Sequence, residues 1–208
     1  MNEINKTYKQ QIKELVTEIE TKTECEIVPM IIKSSNRYIQ ANFLSAIIFS
    51  ILLSIGLYLS PLNFINPVYY IWIQIIGLVI GFMLGEFPLI KRIFIAKRDI
   101  KYEVDLRASE AFLHYNLHLT EKHNGVLVFI SLFERKIKII CDKTVKDQID
   151  QKIWNEIIDE FIDESKHHTI KEALVVTLTH IGSLLENKFP NKDANQKNEL
   201  SDELILEI

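Results

Sequence analysis

Three groups of side chains have types and spacings that could do chemistry. Glu110, His114 and His118 recur every four residues. On one continuous helix they form a stripe, and two histidines at i and i+4 can hold a metal ion such as zinc. The stripe borders an apolar face, so ordinary half-buried histidines account for it equally well. Asp159, Glu160, Asp163 and Glu164 supply the oxygens that calcium requires. They also read as the wet face of an amphipathic helix. Glu24, Glu26, Glu134, Arg135 and Asp142 all fall at the ends of apolar runs that read as strands. If those carboxylates converge they can build a site; turn chemistry and a cross-strand ion pair are the ordinary alternative.

Other signatures are missing from the sequence. The six glycines stand at positions 56, 77, 81, 85, 125 and 182, which leaves no glycine-rich phosphate loop. Gly182 and Ser183 lie inside a helical pattern and not at a strand-to-helix elbow. Cys25 and Cys141 lack an arginine six residues on, form no Cys-x-x-Cys, and suit a reducing compartment. Net charge is −4 with no basic stripe interleaved with aromatics, so a nucleic-acid partner is excluded.

The elements that must position these groups follow from periodicity. Ile4, Tyr8, Ile12, Leu15, Val16 and Ile19 predict an amphipathic helix over residues 2–22, one face of which packs on a sheet. Residues 26–32 predict a buried strand, with Pro29 at an edge or a bulge because it cannot donate to a ladder. Residues 91–119 read as one charged helix burying Val104, Ala108, Ala111, Phe112, Tyr115 and Leu119. Residues 126–133 and 137–141 predict a strand hairpin turned at Glu134, Arg135 and Lys136. Two more helices follow, one marked by Ile149 to Ile162 and one over residues 169–187, stopped by Phe189 and Pro190. The fold class is therefore α+β, a small sheet covered by helices.

That domain is interrupted. Residues 38–85, 48 in all, carry no charge. Two apolar runs, 41–60 and 68–85, flank a short polar turn at 61–67. Helices of 18–20 residues reach roughly 27–30 Å, the thickness of a bilayer core. The segment reads as a transmembrane helical hairpin, the alternative being two core helices of a soluble fold. Lys22, Lys33 and Arg37 precede it, Lys91, Arg92, Lys97, Arg98 and Lys101 follow it, and the turn has no Lys or Arg. The positive-inside rule then puts both termini in the cytoplasm and makes this a two-span protein of the inner (plasma) membrane. Ala46, Ser50 and Ser54 on one run, and Gly77, Gly81 and Gly85 on the other, repeat every four residues and suit close helix packing. The spans pack on each other through these faces, or the glycine face docks on another protein or a second copy. Gln74 could bridge helices. The chain thus divides into 1–38 (first part of the domain), 39–90 (hairpin), 91–190 (remainder of the domain) and 191–208 (a polar tail).

The runs Thr23-Glu24-Cys25-Glu26-Ile27-Val28-Pro29, Asn124-Gly125-Val126-Leu127 and Ser131-Leu132-Phe133-Glu134-Arg135-Lys136 resemble the TPM-domain family. Its bacterial membrane subfamily is the nearest in pattern, since two spans interrupt the domain there after the first strand. Asn198-Glu199-Leu200-Ser201-Asp202 resembles that subfamily's ending, with Ser201 where proline is usual. The resemblance implies an α/β sandwich. It also implies one of two roles. One is a non-catalytic partner in assembly or maintenance of a membrane complex, binding a membrane protein or a second copy. The alternative is a divalent-metal-assisted acid phosphatase, with calcium or magnesium held by Glu26 and Asp142. Glu134 stands where the family usually has Asp, and Cys25 where it has Gly or Ala, so the phosphatase site is not carried over intact.

Overall fold

A computed structural model describes residues 2–61, 66–191 and 199–207. The chain divides into two units, one built from Met1–Ser35 with Val104–Ile208 and the other from Asn36–Glu103.

The first unit is organised on a four-stranded sheet. Its strands are β1 (Glu26–Ile32), β2 (Gly125–Ser131), β3 (Lys136–Cys141) and β4 (Ile205–Glu207), in the spatial order β3-β2-β1-β4. β1 runs parallel to β2 and to β4, and β2 runs antiparallel to β3. All seven residues of β1 and of β2 are buried. Alternate side chains of a strand point to opposite faces, so an unbroken apolar run survives only where both faces are covered. Ile27, Ile31, Val126, Val128 and Ile130 pack with α1 (Asn2–Lys22), α7 (Gln151–His167) and α8 (Ile170–Lys188). Val28, Met30, Ile32, Leu127 and Phe129 pack with Val104, Ala108, Ala111 and Phe112 of α5 (Lys97–His114) and with Leu117. The expected α+β class, a small sheet covered by helices, is what forms. Thr169 caps α8 through a reciprocal pair with Glu172, and Asp150 caps α7 through the Lys152 N–H.

Three expectations change. Pro29 lies in an interior strand without a bulge. The Ile27 N–H goes to the Glu20 side chain and the Lys33 N–H to the Glu207 carbonyl, so odd residues of β1 direct their main chain toward the β4 side. β4 pairs only with Met30, Ile31 and Ile32, so the donor that Pro29 lacks falls where no strand begins. Residues 91–119 are not one helix. They contain the end of α4 (Pro88–Ile93), then α5, then a single 3-10 turn at Leu117–Leu119. Asn116 adopts a left-handed φ of 60°, which breaks the helical register. Leu117 is thereby fully buried, while Leu119, expected inside, is 65% exposed. Finally, residues 191–208 are not simply a polar tail, because Ile205–Glu207 supplies β4 and Leu204 is buried.

The second unit holds α2 (Ile39–Leu59) and α3 (Val68–Leu84), which pack on each other. A β-carbon built on Gly81 would lie 2.8 Å from the Ala46 Cα, so only glycine allows this approach. Gly77 meets Ser50 and Gly85 meets Asn42 in the same way. The Ser45 hydroxyl donates to the Gly81 carbonyl (2.9 Å) and the Ser50 hydroxyl to the Gln74 carbonyl (3.0 Å). Ser54 Oγ is sealed from solvent on the same side. Gln74 contributes its backbone carbonyl; its side chain is exposed and makes no hydrogen bond among the described residues. At the base, Asn42 donates to Glu86. Part of the connecting turn, residues 62–65, lies outside the described residues.

Gly125 tests how tightly the first unit is packed, since a β-carbon there would sit 2.4 Å from the Leu117 carbonyl oxygen. Gly125→Ala is expected to destabilise the protein by about 1–3 kcal/mol, read as a lower urea midpoint.

Candidate functional site

The parallel pairing of β1 and β2 decides where the strand-end carboxylates go. Glu24, Glu26 and Asp142 gather at one end of the sheet. Glu134 and Arg135 lie in the β2–β3 turn at the other, roughly 20 Å away along seven strand residues. Glu134 is buried, and its carboxylate accepts from the Ser131 hydroxyl, the Ser35 N–H (2.9 Å) and the Ser34 hydroxyl (3.2 Å). Its role is to close the turn, together with the left-handed Arg135 (φ 52°).

At the other end, Glu26 is only 2% exposed. Its carboxylate accepts from the backbone N–H groups of Glu199 (3.4 Å) and Leu200 (3.3 Å). Burial raises the Glu26 pKa, and those two bonds oppose the rise. Glu20, from the last turn of α1, accepts from the Ile27 N–H at 2.8 Å. Burial pushes the Glu20 carboxyl up to about 9, with the charges of Glu26 and Asp202 acting in the same direction. Its second oxygen is sealed from solvent. A buried carboxyl in this position is neutral near pH 7, because a carboxylate cannot be left unsolvated without opposite charge. Asp202 is buried and accepts from the Thr17 hydroxyl at 2.5 Å. Glu203 pairs with Lys13 (3.2 Å), Glu24 with Lys122 (3.0 Å), and Glu199 accepts from the Glu121 N–H (2.9 Å). Farther along, the Arg107 guanidinium reaches Glu207 at 2.7 Å.

These contacts form a carboxyl clasp. It joins α1, the start of β1 and the segment 199–207, and supplies acceptors where β1 has no neighbouring strand. Asp142 does something separate. It caps α6 (Lys143–Gln148) through the Lys143 N–H (2.7 Å) and lies 3.2 Å from His123 Nδ1.

The other candidates scatter. His114 ends α5, whereas His118 sits beyond the Asn116 break in the 3-10 turn, so His118 drops out of the i, i+4 stripe and the histidine pair is not formed on one helix. His114 stacks edge-on against Tyr115, and Glu110 pairs with Arg107 at 3.4 Å. On α7, Glu160 bonds His180 (2.6 Å), Asp163 pairs with Lys166 (2.7 Å) and Glu164 lies 3.7 Å from His168, so these carboxylates turn to separate partners and do not converge. Among the described residues no three His, Cys, Asp or Glu side chains come together in a group that could hold a metal ion.

The sequence reading overlooked Glu20 and Asp202. A signal was present, since Glu20 follows Val16 by four residues and Ile12 by eight and so sits in the apolar stripe of α1, where a carboxylate is out of place.

Residues 92–184 match the TPM domain. The match runs from α4 into α8, and it includes Asp142, β2 and β3. α1, β1, β4 and most of the clasp lie outside it. The TPM match therefore ends short of the folded sheet, because β2 inside it pairs with β1 outside it. The fold is similar to that of the BA42 protein from the psychrophilic bacterium Bizionia argentinensis, solved by NMR. The TM-score is 0.59 at 17% sequence identity, over 96% of this chain and 92% of that one. No curated protein matches the chain.

The clasp makes stability depend on pH in a definite direction. Glu20 has a folded-state pKa above its ordinary value, so its contribution is complete below about pH 4.5 and is lost as pH rises through about 9. Glu20→Gln keeps an acceptor for the Ile27 N–H and removes the titration. Urea midpoints measured between about pH 5 and about pH 9 are expected to fall with pH in the native protein. In the variant that fall should be clearly shallower.

Proposed function

We propose that this is an integral inner-membrane protein. In this reading α2 and α3 form a two-span hairpin, both termini are cytoplasmic, and the first unit is a TPM-like domain that binds a protein partner of a membrane complex without catalysing a reaction. The observation that carries the reading is the outer surface of the hairpin. Phe43, Leu52, Trp72 and Met83 are 59%, 62%, 61% and 65% exposed, and α2 has only 22% of its apolar window buried. A core helix of a soluble protein would bury such residues, at about 25 cal/mol per Å² of apolar surface. Lipid is the solvent they fit.

α2, with 21 residues, is the one described helix both long and apolar enough to cross a bilayer. α3 has 17 residues and no charge, so it reaches roughly 25 Å, a shortfall that local thinning of the bilayer accommodates. Basic residues lie at both roots of the hairpin and none in the turn, which supports cytoplasmic termini.

For a partner, the outward side of α5 offers Leu106 (42% exposed) and Leu113 (57%), with Leu119 (65%) beyond it. Leu113 also lines a cavity of about 340 Å³, together with Met30, Arg107, Glu110, His114 and Tyr115 among others. In the phosphatase alternative a metal ion would compete with bonds these carboxylates already make, Glu26 to the backbone of Glu199 and Leu200 and Asp142 to its helix cap. The geometry favours the binding role for that reason.

The chain is expected to remain in membranes through alkaline carbonate extraction. A reporter fused at either terminus should be active only in the cytoplasm, and mild detergent should bring down a stoichiometric partner or a homo-oligomer. A carbonate-soluble chain, or an inert monomer, would overturn the corresponding part. Asp142→Ala is expected to cost about 1 kcal/mol of stability through the lost cap. It should leave phosphate-ester hydrolysis at background with calcium or magnesium present; a metal-dependent rate lost in this variant would instead favour the phosphatase.

A further inference from the structure

We propose that residues 87–102 form a seat for the headgroups of anionic phospholipids, at the point where the chain leaves α3. The inference rests on α2 and α3 being membrane-embedded and adds the lipid chemistry that their cytoplasmic root selects.

Two surfaces carry it. The first is apolar. Phe87, Leu89 and Ile93 are 60%, 76% and 76% exposed around the short helix α4, directly after α3. Pro88 at its start turns the chain out of the previous helix. Side chains of this kind, continuous with an embedded helix, belong in the acyl boundary of a bilayer and not in water.

The second surface is basic. Lys97, Arg98 and Lys101 open α5, are exposed, and take part in no ion pair among the described residues. At about 100° per residue they and Tyr102 fall within an arc of roughly 140°, while Asp99 and Glu103 fall outside it. Tyr102 is 64% exposed. Lys97 and Lys101 continue, toward the helix start, the same stripe that is buried and apolar from Val104 to Phe112. The stripe thus changes from apolar to cationic within one helix. Lys91 is already engaged with Glu86 at 3.3 Å and is not needed for the argument. An exposed aromatic beside three cations, next to an apolar surface, matches a boundary where phosphate lies above and acyl chain below. The charge sign selects anionic over zwitterionic lipid. A protein ligand would have to supply both an acidic and a greasy surface at this same depth, whereas an anionic leaflet supplies both at once.

The test uses the full chain in nanodiscs of phosphatidylcholine alone and of phosphatidylcholine with one third phosphatidylglycerol. Hydrogen exchange is followed in peptides covering residues 87–102. The native protein is expected to exchange there more slowly in the anionic discs, by about threefold or more. A variant carrying Lys97→Gln, Arg98→Gln and Lys101→Gln is expected to lose that difference while α2 and α3 stay protected. Equal exchange of the native protein in both lipids, with α2 and α3 protected, overturns the lipid seat and leaves the hairpin standing. A lipid dependence retained by the triple variant also overturns it. If α2 and α3 themselves exchange freely in nanodiscs, the embedded hairpin fails and the seat fails with it.

Discussion

The first unit depends on satisfying the main chain of β1. That strand is buried along its whole length, and every buried N–H and C=O needs a partner. One edge meets β2 in full register. The other is served by three unlike pieces in sequence: the Glu20 carboxyl at Ile27, proline at position 29 where no donor exists, and β4 from Met30 onward. The segment before β4 is in turn held by Glu26, Thr17 and Lys13. Removing any one acceptor leaves a buried donor open, and that costs more than the lost bond alone. The carboxylates at this end of the sheet are therefore structural first, and the raised pKa values of Glu20 and Glu26 follow from the same burial.

Much of this was legible in the residues. The 3.6-residue periods of α1, α7 and α8 and the β-branched runs of β1, β2 and β3 are local signals, and the structure follows them. The charge-free stretch announced α2 and α3 in the same way. What was not legible is long-range or turns on one backbone angle. β4 has three residues and pairs with a strand 175 positions earlier, so no local pattern identifies it. The His114 and His118 pair has metal-like spacing but does not share a helix, because Asn116 between them enters the left-handed region. Glu134 seemed to belong with Glu24 and Glu26 until the parallel pairing put it at the opposite end. Sequence separates strands well, but only topology says which of their ends meet.

The hairpin obeys a different rule. Between its helices there is little gain from hiding apolar surface if lipid surrounds them, so close fit and hydroxyl-to-carbonyl bonds must supply the association. Gly81 against Ala46, with Ser45 and Ser50 bonding across, is the pattern this predicts. The exposed side chains of α2 and α3 are then not a defect of the fold. They belong to the reading in which the second solvent is hydrocarbon.

The position of β4 also sets an order of events during synthesis. β1 leaves the ribosome ahead of both its partners: β2 cannot join it until about a hundred further residues have emerged, and β4 not until residue 207 has. Contacts this distant in sequence form late and slowly. Until β2 emerges, β1 is a greasy strand with both edges open, a template for pairing with neighbouring nascent chains. The uninterrupted apolar character that makes it a good interior strand is the same property that makes it hazardous while it waits.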